Sequence, residues 1–588
     1  MRRLTILTIL IFVCVLLSAQ TRQTRMCIWN NGTCDKVWVE SGIDSITFVE
    51  ETIDDVLKYA YTSANNGVIC EYSSDNVIDN NVPDPKTGYA DDVAPLHEMY
   101  NEIFAWLPVT SSDGNDSPAY IWKQNYRAII SANQVLELIK EIKGNTDAEK
   151  GEALLIRAYH HFLLVNVFCH AWKNNYDSRS DMGIPYLYDT KYTINSSTQR
   201  GSVYDTYNAI QSDLEEGLNL LSKSNTELPS SRMNIKAAHA FAARFYLYKR
   251  EWAKVVEHAD YVLTTNDQTT LAMLFDAQTQ RDQSNIELAF RHYINPDAPW
   301  NLLIYNTYSS APYAHLPSYG RYQYNGDAQN FTTYGAGPCW KGQFPGISTW
   351  SADQKLGGFC AKDYYWFEYT DTVNGHEYVR GVTRAFTTNE TLLCRAEAKI
   401  YLNDLNGAAN DLRLWAQSYN VRSSSGRSSM DTVAETGNVD LSKEKIAAFY
   451  FPEANINFVP VLHNQDMVPE WVITPEQLPF VHCALHFRRI ETLHDGLRWH
   501  DLKRYGIEIE HVQGKDPARY LIWNDDRRAI QLPQEIIKKG LTPNPRMILG
   551  DNVDSTIPLL MQSKKAKKTP QSIDAIQKWI SNLNFTTK

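Results

Sequence analysis

The sequence predicts a mainly α fold, built from tetratricopeptide-like helical hairpins that carry one long loop-rich segment. Two observations predict it. First, three stretches look alike: Glu152-Ala153-Leu154-Leu155-Ile156-Arg157-Ala158-Tyr159, Ala237-Ala238-His239-Ala240-Phe241-Ala242-Ala243-Arg244 and Thr391-Leu392-Leu393-Cys394-Arg395-Ala396-Glu397-Ala398. Each sets small Ala residues at helical spacing beside an Arg, next to aromatic and aliphatic side chains. Small residues let helices approach closely, and repeated hairpins with Ala at the contacts are the logic of tetratricopeptide arrays. Second, between Tyr293 and Tyr369 the chain is crowded with Tyr, Trp, Gly, Pro, Asn and Ser and has little helical periodicity. A segment this long without regular structure inside a domain is usually functional or disordered, and its aromatics argue against disorder.

The elements follow in order. Met1-Arg2-Arg3 gives a positive start, Leu4 to Leu17 is almost wholly apolar, and Ser18-Ala19 offers a small-residue cleavage site before Gln20. This reads as a secretory signal peptide over 1–19, too short to be a spanning helix. The first hairpin is expected from Trp122–Ile142 and Asp147–Phe168. Ser202-Val203-Tyr204-Asp205 is a capping signature opening a helix through Leu221. The clearest pair is Ile235–Lys249 and Trp252–Leu263, turning at Arg250-Glu251, with Trp252, Val255, Val256 and Ala259 on one apolar face. A further pair is Leu392–Leu402 and Leu405–Ser418. The organisation expected is a signal peptide (1–19), an N-terminal helical region (20–280), an aromatic loop-rich region (281–380) and a C-terminal region (381–588). At 588 residues the chain exceeds the roughly 250–300 residues at which single cores stop growing.

The net charge of −11 shows no basic surplus, so nucleic acid is an unsuitable partner. No cysteine pair has C-x-x-C spacing, which argues against a zinc ribbon or a thioredoxin motif. Cys27 with Cys34 and Cys339 with Cys360 are candidate local disulfides in an exported chain; buried free thiols fit the same spacings equally well. His97-Glu98 and His376-Glu377 lack the second His of a zinc-protease helix, and no nucleophile elbow, phosphate loop or dinucleotide fingerprint occurs. Asp113-Gly114-Asn115-Asp116 and Asp371 to Asn374 are oxygen-rich without calcium-loop spacing. Val421–Ser429 reads as an exposed loop, and Lys564-Lys565-Ala566-Lys567-Lys568 as a solvated tail.

A longer pattern carries a resemblance. His486-Phe487-Arg488-Arg489-Ile490-Glu491-Thr492-Leu493-His494-Asp495-Gly496-Leu497-Arg498-Trp499-His500-Asp501-Leu502-Lys503-Arg504 closely resembles the C-terminal signature of SusD/RagB proteins. Tyr126, Ile129, Ala132-Asn133 and Val135-Leu136 resemble the family's N-terminal helix. Gly151 to Ala158, Asn234 to Ala238 with Trp252, Arg395 to Ala398, and Leu532-Pro533-Gln534-Glu535-Ile536 with Asn544-Pro545 follow in the expected order. The resemblance implies a mainly helical fold around four tetratricopeptide-like hairpins with loops carrying the ligand site. It implies a non-enzymatic protein on the outer-membrane surface; the motifs point to no cofactor and no metal site, with calcium left open. Such a protein captures oligosaccharides (in some members peptides) as a lid over a SusC-like TonB-dependent transporter. Members are typically lipoproteins. Here neither Val13 before Cys14 nor Met26 before Cys27 is the small residue a lipobox has, so ordinary cleavage at Ala19–Gln20 is expected.

Sugar rings present apolar faces and hydroxyl edges, which an aromatic plane beside a polar side chain can read. The candidate ligand contacts are therefore Trp300, Asn301, Tyr319, Arg321, Tyr322, Tyr324, Trp340, Trp350 and Trp366, with Asp75 and Trp106 from the loop-rich N-terminal stretch. Glu491 and Asp501 would be the acid–base couple of a rival glycoside hydrolase. Carboxylates interleaved with Arg488, Arg489, Arg498 and Arg504 are instead expected to be structural ion pairs. A peptide-binding lid of an oligopeptide importer and a pure protein-binding scaffold would also suit a helical array of this kind.

Overall fold

The computed structural model describes residues 23–30, 33–40, 50–58 and, with short interruptions, 60–546. The signal-like segment, Tyr319 and the basic run 564–568 lie outside the described residues, as do the side chains of Trp350 and Cys360. The chain divides into two compact units, Met1–Asp55 and Val56–Lys588. In the first, β1 (Gln23–Asn30) and β2 (Thr33–Glu40) pair as an antiparallel hairpin with Cys27 opposite Lys36 and Cys34 opposite Trp29.

The second unit is helical in the main. Its principal helices are α1 (Gly67–Ser73), α2 (Met99–Phe104), α3 (Pro118–Leu138), α4 (Asp147–Phe168), α5 (Val203–Lys223), α6 (Ile235–Lys249) and α7 (Trp252–Leu263), then α8 (Ile286–Tyr293), α9 (Thr388–Tyr401), α10 (Leu405–Ser418), α11 (Leu478–Glu491) and α12 (Leu497–Tyr505). Local chemistry sets the boundaries. At α5, Ser202 Oγ accepts from Asp205 N while Asp205 Oδ2 accepts from Ser202 N, each at 3.0 Å, the capping box expected there. Asn234 caps α6 through Ala237 N at 2.9 Å. The α6–α7 and α9–α10 connections are tight because Arg250 and Asn403 take left-handed conformations, φ +62° at both.

Helix α3 packs on α4, α4 on α5, α6 on α7, α9 on α10, and α9 also on α7 and α11. One continuous apolar core runs between them, lined by such residues as Leu155, Phe241, Ala243, Leu392, Ala396, Trp415 and Phe487. The Arg of each look-alike stretch closes a buried ion pair onto a neighbouring element. Arg157 holds Asp213 of α5 bidentately at 2.6 and 2.7 Å. Arg244 reaches Glu390 of α9 at 3.2 Å. Arg395 holds Asp411 of α10 at 2.9 and 2.8 Å and Asp260 of α7 at 2.8 Å. The repeat therefore encodes a clamp as well as a close-packing face.

The strands of this unit are few. Short β3 (Ile78–Asp79) pairs with β5 (Tyr322–Gln323), and β4 (Asn301–Tyr308), β9 (His376–Thr387) and β8 (Tyr365–Asp371) form an antiparallel sheet in the order β4-β9-β8. Hairpins β6 (Thr349–Asp353) with β7 (Gly357–Cys360), and β10 (Ile509–His511) with β11 (Arg519–Leu521), complete it. Much of the segment between Tyr293 and Tyr369 is thus strand and turn. Cys70, Cys169, Cys339, Cys394 and Cys483 are buried free thiols. The Cys339–Cys360 pairing is accordingly not formed: Cys339 sits in the apolar interior rather than opposite a second sulfur.

Candidate ligand-binding face

Two segments singled out in the sequence, residues 75–106 and 300–366, meet in space. The β3–β5 ladder sets Asp79 opposite Tyr322. Asn80 N donates to Arg321 O at 2.9 Å, and Asn325 Nδ2 to Asn80 Oδ1 at 2.9 Å. Arg321 grips the buried Asp79 carboxylate through Nε at 2.9 Å and Nη2 at 2.8 Å, and Gly514 N donates to the same carboxylate at 2.8 Å. Arg321 Nη1 also reaches Asn101 Oδ1 at 3.4 Å; Tyr322 OH donates to that oxygen, and Gln513 Nε2 donates to Tyr322 OH at 2.6 Å. This polar seam stays half-buried at Arg321 and Asn101.

Behind the seam stands a column of rings. Tyr322 stacks on Phe104 at 4.4 Å between centroids, Phe104 on His511 at 4.0 Å, and His511 on Trp106 at 4.3 Å. His511 Nδ1 and Nε2 lie 2.7 and 2.9 Å from the carbonyls of Phe104 and Ser74. Burial holds the His511 pKa down, against the pull of those two carbonyls. Offset ring pairs of this kind stiffen the short strand that follows Arg321.

Alongside lies a row of side chains across the three-stranded sheet. The register sets Tyr308 of β4 opposite Arg380 of β9, and Arg380 opposite Trp366 of β8. Residues directly opposite share a face, so a phenol, a guanidinium and an indole stand side by side, all half-buried. Arg380 lies over the Tyr308 ring at 4.2 Å and donates to its hydroxyl. Ser310, two residues beyond Tyr308, bonds His97 Nε2 at 3.4 Å, and the His97 ring neighbours Tyr100, next to Asn101. His97 thus links the segment that follows the row to the helix that carries Asn101.

The sequence-flagged side chains divide between this surface and the interior. Arg321 and Trp366 are half-buried on it. Trp300 is buried against Phe275 and His292, and Asn301 donates to the carbonyls of Tyr293 and Asn295 at 3.0 and 2.9 Å. Tyr324 is buried with its hydroxyl on Thr333 Oγ1 at 2.7 Å. Trp340 lies inside against Phe344 and Phe487. Trp106 is buried with Nε1 donating to Ser73 O at 2.9 Å. Asp75 accepts both Nε and Nη2 of Arg498 at 2.8 Å and lies 3.3 Å from Arg489; burial alone would raise its carboxyl, and the two guanidinium groups hold it far below the usual range. Sequence reasoning missed Arg380, His97, Asn101 and Gln513 as partners, because their convergence depends on long-range register that no local pattern carries.

The signature segment forms the buried heart of the unit. Arg488 Nε meets Asp501 at 3.0 Å and its Nη1 meets Glu390 at 3.2 Å. Arg504 bonds Asp501 at 2.7 Å and Glu397 at 2.9 Å. Asp501, fully buried, would be raised by desolvation, but the two Arg residues bring it down to about 2. Glu491 accepts from Trp415 Nε1 and Tyr419 OH, each at 2.8 Å, and burial raises its pKa. Neither carboxylate faces an open cleft, so the two are built into packing rather than presented across a scissile bond.

Comparison with known proteins agrees with this architecture. A family model described as starch-binding and associating with the outer membrane matches residues 40–247. No curated protein matches the sequence. Among solved structures, a SusD superfamily protein from Bacteroides vulgatus is 17% identical, with 84% of this chain and 98% of that chain covered at a TM-score of 0.55. A SusD superfamily protein from Bacteroides thetaiotaomicron is 16% identical, with 84% and 98% covered at 0.52. A SusD-like carbohydrate-binding protein from Bacteroides vulgatus is 17% identical, with 84% and 97% covered at 0.51. The chain thus shares the fold of SusD superfamily proteins, and its residues 40–247 match the SusD-like family model.

Proposed function

We propose that this protein is a non-catalytic, outer-surface glycan-binding component that delivers an oligosaccharide to a SusC-like TonB-dependent transporter. The observation that carries the reading is the Tyr308–Arg380–Trp366 row lying beside the Asn101–Arg321 seam. Aromatic planes stack on the C–H faces of a pyranose, and guanidinium and amide groups bond its hydroxyl edge. In this reading Trp366 and Arg321 touch ligand. Trp300, Asn301, Tyr322, Tyr324, Trp340, Asp75 and Trp106 hold the surface from behind, and the four helical hairpins are its tetratricopeptide-like scaffold. Export follows from the signal-like N-terminus, and association with the outer membrane from the family. Among the described residues no helix is long and apolar enough to cross a membrane. The engagement of Glu491 and Asp501 by Trp415, Tyr419 and two Arg residues supports binding over hydrolysis.

Calorimetric titration against oligosaccharides of different linkage, and against tripeptides to hexapeptides, tests the reading. A saturable oligosaccharide isotherm with intact sugar recovered afterwards is expected. Peptide binding alone, or shortened sugar, would overturn it.

A further inference from the structure

Away from that surface, three charged side chains are fixed at a separation that protein–protein hydrogen bonds do not use. Arg384, on β9, has a side chain 4% exposed; its guanidinium lies 3.6 Å from the centroid of the Tyr293 ring and donates to the Tyr293 hydroxyl. Lys362 is 5% exposed, and its Nζ donates to the carbonyls of Glu491 and Leu493 at 2.5 and 2.9 Å. Both cations stand 3.7 Å from Asp495 Oδ2. That is beyond hydrogen-bond length, and among the described residues no hydrogen bond reaches the Asp495 carboxylate. The interior Arg–carboxylate pairs on Asp213, Asp411 and Asp501 close at 2.6 to 3.0 Å. The Asp495 side chain is 29% exposed, so solute can reach it.

None of the three can close the gap cheaply. Lys362 is tied to two carbonyls and Arg384 to Tyr293. Asp495 sits in a turn with His494 at φ +67° and Gly496 at φ +73°. This turn presses so closely on Gly67 that a Cβ on Gly67 would lie 2.5 Å from Asp495 O. The turn that carries the carboxylate is thereby fixed against the Gly67 backbone.

The geometry points to Asp495, Arg384 and Lys362 as a subsite for a vicinal diol of a neutral sugar. A hydroxyl oxygen about 2.8 Å from an acceptor and a donor closes a triangle on a 3.7 Å base, donating to Asp495 and accepting from one cation. Two adjacent hydroxyls fill both triangles, one against Arg384 and the other against Lys362. Two cations face two carboxylates here, Asp495 and Glu491, so the formal charge balances and favours a neutral polyol over an anion. This deepens the glycan reading and rests on it, but the two fail separately.

The test is ligand-observed NMR titration of the full chain with methyl α-glucopyranoside, methyl α-galactopyranoside, methyl α-mannopyranoside and their 2-deoxy and 3-deoxy forms. Wild type, Asp495→Asn, Lys362→Met and Trp366→Ala are compared, each checked by circular dichroism. Expected are saturable binding of at least one glycoside, at least tenfold weaker in Asp495→Asn and in the matching deoxy sugar. Binding that Trp366→Ala weakens while Asp495→Asn and Lys362→Met leave it unchanged overturns the subsite and spares the glycan reading. Binding lost in Asp495→Asn but untouched by Trp366→Ala supports the subsite and removes the surface row. Failure of every glycoside to bind wild type overturns the subsite and leaves the glycan reading to the oligosaccharide titration.

Discussion

Replacing Asp501 by Asn probes the buried ion network most sharply. Asp501 is fully buried, with Oδ2 accepting from Arg488 Nε at 3.0 Å and Oδ1 from Arg504 Nη2 at 2.7 Å. Removing its charge leaves Arg244, Arg488 and Arg504 against Glu390 and Glu397 alone. Breaking one side of a buried pair costs about 3–5 kcal/mol, because a desolvated charge is left uncompensated. The wild-type pH dependence gives a second magnitude. The Asp501 carboxyl lies at about 2 in the folded chain against 3.8 ordinarily, a difference of about 2 kcal/mol of linkage. A depressed folded pKa means this stability is present above pH ~4 and is lost as pH falls toward 2. It is the smaller figure because a protonated acid still fits and still accepts, whereas an amide presents N–H groups to two guanidinium groups. Urea unfolding followed by tryptophan fluorescence at pH 7, 4 and 2.5 measures both. The variant should be less stable by about 3–5 kcal/mol at pH 7 and should lack about 2 kcal/mol of the acid-side slope. A loss below about 1 kcal/mol with an unchanged slope would refute the network as a stability element.

Further outcomes follow from the same geometry. Trp366→Ala should weaken oligosaccharide binding about tenfold, the loss of one stacked ring, with an unchanged unfolding midpoint; calorimetry and a melt separate the two. Trp300→Ala should instead cost about 3–5 kcal/mol of stability, as a core truncation, read by urea unfolding. Native protein at pH 8 should leave Cys70, Cys169, Cys339, Cys394 and Cys483 unalkylated by iodoacetamide, since all five are buried and burial pushes the Cys70 thiol up to about 12; mass spectrometry in and out of urea checks it. Burial holds Lys503 down to about 8 against 10.5 ordinarily. The unfolded chain then binds more protons between those values, so stability contributed by this site should rise with pH from 8 toward 10, and Lys503→Met should abolish the rise.

The helical half of the fold was legible because it is written locally. Ala spacing, the Ser202–Asp205 box and the Arg250 turn each act within a few residues, and the helices at 235–249, 252–263 and 405–418 begin and end where that chemistry says. The interleaved charges of the signature segment were also legible as ion pairs. The proposed surface draws on the region the sequence flagged, but on few of the residues named there. Aromatic content marks 293–369, but whether a Trp faces solvent depends on sheet register and on what packs behind it. Trp300 and Trp340 close the interior, whereas Trp366 stands opposite Arg380 on a sheet face. Arg380, Asn101 and Gln513 come from distant parts of the chain and carry no local mark. Asp495 looked like one more acid among arginines; only its 3.7 Å separations from Arg384 and Lys362 set it apart.

The most direct measurement of the central claim is calorimetric titration of wild type and Trp366→Ala with a panel of neutral oligosaccharides and short peptides, with the sugars analysed for cleavage afterwards. Non-catalytic glycan capture predicts a saturable isotherm for at least one oligosaccharide, about tenfold weaker in the variant, with the sugar recovered intact and peptides inert. Binding confined to peptides, or cleavage of the bound sugar, would contradict it.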